Sequence, residues 1–333
     1  MSGSSFRCII VFVFTIQFCI GWIAMPRIAN ADDAEWLYTR GRMLLFQGEY
    51  SGAIKALDRA RWDDNYKVRL FLGIAQARLG YYGPALDEFE LLSPEAGNDF
   101  CAQWAVSHHF KGLAQMGSGQ YYRAAESFDE AIHQYDSSVL FGKGSFETDK
   151  SSIADVFDER ERKLIPDFIT TYIGWHTATA ILEEYLAEQD FDLTRALLDC
   201  KTGIVAGVLK QQYPTAIRAY NSAIKEKPDL VLAYIGRGYV KSKLELYSDA
   251  LLDFDKAIAL APNDALAYYL RGSAKYKLDL PKEATQDMQD ALRLIEKHRQ
   301  KSYGAGIRAY FKVSHLVAFI KMKMDEPKNA LKR

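Results

Sequence analysis

Two adjacent segments of the chain decide the fold: VLAYIGRGYVKSKLELYSDALLDFDKAIALAPND at residues 231–264 and ALAYYLRGSAKYKLDLPKEATQDMQDALRLIEKH at residues 265–298. In the first, Gly238 is followed after 9, 12, 16, 19 and 24 residues by Tyr247, Ala250, Phe254, Ala257 and Pro262. The second repeats the plan after 34 residues, with Gly272, Pro281, Ala284, Met288 and Ala291. A period of this length is typical of proteins built from repeated pairs of helices.

The same offsets recur upstream in a common phase. They give Gly41, Tyr50, Ala53, Leu57 and Ala60, then Gly73, Tyr82, Ala85 and Phe89, then Gly112, Tyr121, Ala124, Phe128 and Ala131. A sixth set keeps only its second half, Tyr213, Ala216, Tyr220, Ala223 and Pro228, while Ile204 stands where the glycine is expected. The sequence therefore predicts five clear helical hairpins and one whose first helix is degenerate.

Residue size explains the pattern. Small residues such as Gly238 and Ala250 suit the point where two antiparallel helices cross closely, because larger side chains would push the backbones apart. Phe254 fills the space that they leave. Pro262 ends the second helix, since its ring and its missing N–H cannot continue the hydrogen-bond ladder.

These residues resemble the tetratricopeptide-repeat family, whose pattern pairs glycine and alanine of the first helix region with alanine, phenylalanine and proline of the second. The resemblance covers roughly 200 residues of the chain. It implies an all-α fold, a helix-turn-helix repeat solenoid that winds into a superhelix. In such a solenoid the first helix of each pair lines the concave wall, which is the expected site for a protein or peptide ligand.

The repeats predict two blocks. Three repeats form an N-terminal block at residues 32–136, and one degenerate plus two clear repeats form a C-terminal block at residues 197–298. A linker and a connecting helix separate them at residues 137–196, and a capping helix with a basic tail follows at residues 299–333. The wide spacing between the second and third glycines places an insertion of about five residues at 93–99.

Neither the interruption nor the C-terminal end follows the repeat. Residues 137–165 are rich in serine, glycine and charge, which favours a long loop. An amphipathic run at 168–187 predicts a helix with Trp175 and Leu182 facing inward. The run at 303–324 predicts a last helix, because a solenoid needs a cap over its terminal apolar surface.

The N-terminus predicts the compartment. Residues 1–31 have the features of a signal peptide: Arg7 precedes the apolar run 8–24, and Ala29-Asn30-Ala31 is a small-x-small cleavage site, so cleavage is expected before Asp32. The alternative is an uncleaved membrane anchor, because the apolar run is longer than a usual signal core. The sequence contains no Asn-x-Ser/Thr site, which favours a bacterial periplasm.

Removal of the signal peptide leaves two cysteines, Cys101 and Cys200. In an oxidising compartment they are candidates for a disulfide between the two blocks. The alternative is that both are small buried side chains.

Charge is distributed unevenly. Residues 297–333 carry +8 and residues 1–31 carry +2 in a chain of net charge −1, which leaves −11 for residues 32–296. An acidic body argues against nucleic acid as the partner. The basic C-terminal segment is compatible with a peripheral membrane contact.

The repeat phase predicts which side chains line the concave wall. Candidates for partner binding are Tyr38, Arg42, Leu70, Ile74, His109, Leu113, Tyr239, Lys243, Tyr269, Ser273 and Tyr276. Aromatic rings beside lysine and arginine suit an extended peptide or a helix. The positions where some family members clamp a carboxylate with asparagine carry Arg42, Ile74, Leu113, Tyr239 and Ser273, so such a clamp is disfavoured.

No catalytic, cofactor or metal pattern is present in the sequence. His108 and His109 are neighbours, and adjacent helical side chains point about 100° apart, so they do not form one metal-binding face. No residues within 137–196 have the spacing of a recognisable catalytic motif, so an enzyme site in this segment is disfavoured. The sequence predicts a non-enzymatic scaffold or adaptor in an exported compartment; the alternative is a membrane-associated assembly subunit docked through the basic C-terminal helix.

Overall fold

The computed structural model describes residues 31–61, 65–92, 100–139, 168–186 and 190–301. Throughout these ranges the regular structure is helical, and no residue is in a strand.

Several predicted features lie outside the described residues. They are residues 1–30 of the signal peptide predicted at 1–31, the insertion at 93–99, most of the loop at 137–165, and the capping helix at 303–324 with the tail that follows it. All of these stay predictions.

The described helices are 9 to 21 residues long. They are α1 (Ala31–Gln47), α2 (Tyr50–Arg59), α3 (Tyr66–Leu79), α4 (Tyr82–Glu90), α5 (Phe100–Gly117), α6 (Tyr121–Val139), α7 (Phe168–Leu186), α8 (Phe191–Ile204), α9 (Tyr213–Glu226), α10 (Val231–Lys243), α11 (Tyr247–Leu260), α12 (Ala265–Lys277) and α13 (Pro281–Lys301).

Consecutive helices pack as hairpins, as the repeat pattern predicts. The pairs α1–α2, α5–α6, α8–α9, α10–α11 and α12–α13 are in contact, and the second helix of one pair packs on the first helix of the next in α4–α5, α9–α10 and α11–α12. The predicted fold class, an all-α helix-turn-helix repeat solenoid, is confirmed. The chain divides into two compact units, residues 1–72 and 73–333, and the boundary falls within α3.

The unit at residues 1–72 has a small core of its own. Leu37, Ala60 and Val68 are buried together, and Tyr38 packs against them half-buried. At the crossing of α1 and α2, a Cβ added to Gly41 would lie 2.6 Å from Leu57 Cγ. Glycine is therefore required here by the close approach of the two helices.

The same crossing recurs in the unit at residues 73–333. A Cβ added to Gly112 would lie 2.8 Å from the Phe128 ring, and one added to Gly238 would lie 2.6 Å from the Phe254 ring. Phe128 and Phe254 are fully buried. The small and large residues of the repeat are thus in direct contact, which is why they recur at a fixed offset.

One residue in each described hairpin turn has a left-handed backbone. In the front repeats it is Gly48, Gly80 or Gly119, and in the rear repeats it is Gln211, Glu245 or Asp279. In five of these six turns the next N–H donates back to a carbonyl five residues earlier, as in Leu246 N–H to Lys241 O at 3.0 Å. This arrangement caps the last turn of the first helix. For residues other than glycine the left-handed conformation costs about 1 kcal/mol.

The predicted degenerate repeat is regular except for one extra residue. Gly203, and not Ile204, lies at the helix crossing, where an added Cβ would be 2.7 Å from the Tyr220 ring. The expectation that Ile204 replaces the glycine is therefore wrong by one position. Gly203 was missed because the extra residue shifts it out of phase.

A π-helical turn at Val205–Leu209 accommodates the extra residue. The N–H of Gln212 donates to Ala206 O at 2.7 Å, six residues earlier, whereas the corresponding bond in other repeats reaches back five. A π-helical turn holds one more residue than an α-helical turn. The first helix of this repeat is thus widened locally, and the next helix, α9, still packs on α8.

The helix between the blocks packs through a different face from the predicted one. Ile169, Ile173 and Ile181 of α7 are buried, whereas Trp175 and Leu182 are only half-buried. Trp175 and Leu182 were therefore wrongly placed as the inward face. The helix α7 packs against α5, α6 and α8, so it joins the front and rear repeats directly.

Two helix boundaries differ from the sequence expectation. The helix α6 continues to Val139, beyond the predicted start of the loop at residue 137. The first rear helix begins at Phe191 and not near residue 197, because Asp190 caps it and its carboxylate accepts hydrogen bonds from the N–H groups of Asp192 and Leu193.

No helix in the described part of the chain combines the length and the apolar character needed to cross a bilayer.

Candidate functional site

A buried ion-pair cluster joins α10, the first helix of one rear repeat, to the second helices on either side, α9 and α11. Arg237 of α10 donates from Nε to both carboxylate oxygens of Asp253 at 3.1 Å, and Lys241 Nζ lies 2.9 Å from Asp253 Oδ2. The other end of the Arg237 guanidinium donates to Asn221 Oδ1 at 2.7 Å. The buried carboxylate of Asp253 is therefore paired with two cations.

The cluster is repeated 34 residues later. Arg271 Nε donates to Asp287 Oδ2 at 2.9 Å, Lys275 Nζ lies 2.8 Å from the same oxygen, and Arg271 Nη1 donates to Asp255 Oδ1 at 2.8 Å. The hydrogen bond to Asp287 is the main cause that raises the pKa of Arg271 above its usual value. Asp287, like Asp253, is buried.

Each cluster spans three helices. Arg237 connects α9, through Asn221, to α11, through Asp253; Arg271 connects α11, through Asp255, to α13. We call the two clusters together the arginine ladder. The ladder fixes α10 and α12 against the second helices on both sides, because bidentate arginine–carboxylate pairs restrict both distance and angle.

Sequence reasoning missed the arginine ladder. A signal was present, since Arg, Lys and Asp recur at the same repeat positions in residues 231–264 and 265–298. Charged residues on a helix are usually solvated, so this recurrence does not by itself indicate buried ion pairs.

The rear part of the predicted wall presents a mixed surface. Tyr239 and Tyr269 are buried, Ser273 and Tyr276 are half-buried, and Lys243 is exposed. Lys243 Nζ lies 5.1 Å from the centre of the Tyr239 ring. We call the accessible part of this surface, Lys243, Ser273 and Tyr276, the rear face.

Much of the front part of the predicted wall is buried. Leu70, Ile74, His109 and Leu113 are fully buried, which does not fit a place on an exposed wall. His109 Nδ1 lies 2.7 Å from Thr171 Oγ1, so α7 covers this part of α5.

In the unit at residues 1–72, Tyr38 and Arg42 stay partly accessible. The Tyr38 ring stacks on Phe71 with centroids 6.1 Å apart, and the Arg42 guanidinium lies 5.7 Å from the Tyr38 centroid.

Cys200 lies in the core of the unit at residues 73–333. Its side chain is fully buried, and burial raises the pKa of the thiol, with the nearby charge of Asp199 adding to the effect. The thiolate is thus disfavoured. The side chain of Cys101 lies outside the described residues, so the disulfide between the two cysteines stays a prediction.

We expect the Cys200 thiol to resist labelling by a thiol reagent in the folded protein and to react after unfolding in denaturant without reductant, because only the exposed thiolate is nucleophilic. The measurement is the amount of label on the peptide that contains Cys200, determined by mass spectrometry before and after unfolding. Rapid labelling of Cys200 in the native state would contradict its burial. If no thiol reacts after unfolding without reductant, the bridge to Cys101 is formed instead.

Within the described ranges, no group of three or more histidine, cysteine or acidic side chains is arranged to hold a metal ion. The pKa of His108 is lowered to about 4, mainly by burial, with Lys111 lowering it further and Glu130 opposing the shift. His108 is therefore neutral at pH 7.

Comparison with known proteins gives matches only among solved structures. No family model matches the chain, and no curated protein matches it. It is similar to the TPR2AB domain of yeast Sti1 from a complex with pHSP90, with 17% identity over 86% of this chain and 98% of that chain, at a TM-score of 0.29. It is also similar to YrrB, a TPR protein with an unusual peptide-binding site, with 13% identity over 75% of this chain and 93% of that chain, at a TM-score of 0.30. A third similar structure is a tetratricopeptide repeat protein from Parabacteroides merdae, with 17% identity over 87% of this chain and 99% of that chain, at a TM-score of 0.29.

Proposed function

We propose that the chain is a non-enzymatic scaffold that binds a polypeptide partner on the rear face. The observation that carries this proposal is the arginine ladder, which holds two consecutive first helices, α10 and α12, in a fixed register. A surface that is already ordered loses little entropy when a ligand binds.

The rear face has suitable chemistry for a peptide. The Ser273 and Tyr276 hydroxyls are able to donate to and accept from a peptide backbone, and the Tyr276 ring offers apolar area. Lys243 adds a cation at the exposed end of α10. The buried residues Leu70, Ile74 and His109 are not part of the proposed site.

The test replaces accessible residues only, since Tyr239 and Tyr269 are buried. The variant Ser273→Glu with Tyr276→Ala is used as bait in the native extract, beside a matched control, Thr285→Glu with Gln286→Ala, on the exposed side of α13. We expect the first variant to lose bound polypeptides at least about tenfold, which corresponds to about 1.4 kcal/mol. Equal recovery by both variants, with unchanged circular dichroism, would reject the rear face.

We further propose that the protein acts in an exported compartment, most simply a bacterial periplasm, after removal of residues 1–31. The basis is the arrangement of Arg7, the apolar run and Ala29-Asn30-Ala31. The mass of the protein isolated from its native cells is expected to correspond to a chain that begins at Asp32. A mass that includes the apolar run would support the membrane anchor instead.

A peripheral membrane contact is the second candidate, because residues 297–333 carry +8 beside an acidic body. It predicts binding to anionic vesicles that weakens with salt and disappears when residues 303–333 are removed. Binding that is absent or insensitive to salt would exclude this candidate.

A further inference from the structure

The histidines of the chain are concentrated where the front repeats meet the rear repeats. His108 and His109 lie in α5, His133 lies in α6 and His176 lies in α7, whereas residues 177–297 contain no histidine. Histidine is the side chain whose ordinary pKa lies between pH 5 and 8. A response to mild acid is therefore expected in α5–α7 and not in α8–α12.

One aromatic ring holds the three helices α5, α6 and α7 together. A Cβ added to Gly112 of α5, or to Gly174 of α7, would lie 2.8 Å from the Phe128 ring of α6. Beside it, the fully buried His109 ring of α5 lies with Nδ1 2.7 Å from Thr171 Oγ1 of α7. Because Phe128 fills the space against both neighbours, α7 loses its packing if α6 moves away from α5.

The adjacent histidine, His108, belongs to a cluster between α5 and α6. Its ring packs against the Trp104 ring with centroids 4.5 Å apart, and Trp104 Nε1 donates to Glu130 Oε1 of α6 at 3.3 Å. His108 Nδ1 is buried and makes no hydrogen bond with the described residues. The cluster therefore offers an acceptor to Trp104 and none to His108 Nδ1.

This arrangement disfavours a protonated His108. A cationic imidazole donates from both ring nitrogens, so its N–H at Nδ1 would be buried without an acceptor. Burial accordingly lowers the pKa of His108 to about 4. In the described part of the chain, the charged groups that act on the ring are Glu130 of α6, which opposes this shift, and Lys111 of α5, which adds to it.

Acid therefore acts against the closed α5–α6 hairpin. A His108 ring that opening exposes regains the ordinary pKa of 6.5, so the open state binds more protons than the closed state between pH 6.5 and pH 4. The stabilisation by the neutral ring is complete above pH 6.5 and is lost as the pH falls toward 4. At pH 5 the opening constant is expected to be about 20 times larger than at pH 7.

We propose that the junction of α5, α6 and α7 is an acid-sensitive switch, in which protonation of His108 separates α6 from α5 and releases α7 from Phe128, while α10–α12 stay folded. Because α7 joins the front and rear repeats, the switch uncouples them. It does not depend on the binding of a polypeptide at the rear face.

The test is hydrogen exchange of the full chain at pH 7 and pH 5, with rates corrected for the intrinsic effect of pH. We expect the opening constant of α5 and α6 to rise about 20-fold at pH 5, and that of α10–α12 to change less than about threefold. His108→Phe keeps a ring against Trp104 but cannot be protonated, so the rise is expected to be lost. The matched control is His176→Phe, which replaces a histidine packed against Tyr172 with centroids 4.5 Å apart and is expected to keep the rise.

Four results would overturn the switch. They are an unchanged opening constant of α5 and α6 at pH 5, an equal rise in α10–α12, a rise that persists in folded His108→Phe, or a rise that is lost in His176→Phe.

A pH profile of the unmodified chain decides the same point if His108→Phe does not fold at pH 7. One histidine with these two pKa values requires the opening constant of α5 and α6 to rise about sevenfold between pH 6 and pH 5. A rise of less than about twofold over that interval would reject the switch without any variant.

Discussion

Replacement of Arg237 and Lys241 together by methionine is expected to lower the free energy of unfolding by about 3–5 kcal/mol, because it leaves the Asp253 carboxylate buried without a cation. Asp253 is 2% exposed, so water cannot take the place of the lost partners. Chemical denaturation of the variant and of the unmodified chain measures the difference.

The matched control removes the charge as well. With Asp253→Leu added to the two methionines, the cluster becomes apolar at similar volume, and most of the lost stability is expected to return. A triple variant no more stable than the double variant would show that the ladder contributes hydrogen-bond geometry that apolar packing cannot replace. If the free energy of unfolding of the double variant lies within about 1 kcal/mol of that of the unmodified chain, the Asp253 carboxylate is not left buried and unpaired.

Gly236→Ala is expected to be the most damaging single methyl addition in the rear repeats. A Cβ there would lie 2.4 Å from carbons of the Tyr220 ring, which is fully buried and also lies against Gly203. Because the ring is enclosed on all sides, the free energy of unfolding is expected to fall by about 2–3 kcal/mol, at the upper end for an overpacked core. The midpoint of thermal unfolding reports it.

Gly83→Ala is the control for helix propensity. Gly83 lies in α4, and nothing is within 4 Å of an added Cβ. Because the added methyl meets no neighbour, the free energy of unfolding is expected to change by less than about 1 kcal/mol. If both alanine variants were equally stable, the close contact between Gly236 and Tyr220 would be in doubt.

The helical hairpins could be predicted because their packing contacts are local and repeated. Gly238 touches Phe254 in the same way as Gly112 touches Phe128, so one physical constraint appears many times at one offset. A pattern of this kind needs no knowledge of the rest of the molecule.

The π-helical turn could not be predicted in this way. An extra residue at Val205–Leu209 moves Gly203 out of phase with its repeat, so a fixed offset selects Ile204. The contact with Tyr220 identifies the glycine only when the two helices are seen together.

The burial of the residues predicted to line the wall could not be predicted from the repeat phase. The repeat phase places a side chain on a face of its helix but does not say what packs on that face. His109 shows the consequence, since Thr171 of α7 meets it although the two are 62 residues apart. The side chains of Ser273 and Tyr276 are only half-buried. These two residues are therefore the ones on which the proposed polypeptide-binding site depends.

The most direct test of the scaffold account is site-specific photocrosslinking in native cells, with a photoreactive amino acid at Ser273 and, as a control, at Gln286 on the exposed side of α13. Mass spectrometry then identifies the crosslinked peptides. The account predicts a discrete polypeptide partner crosslinked at position 273 and not at position 286. The same products from both positions, or none from position 273 in a folded protein, would contradict it.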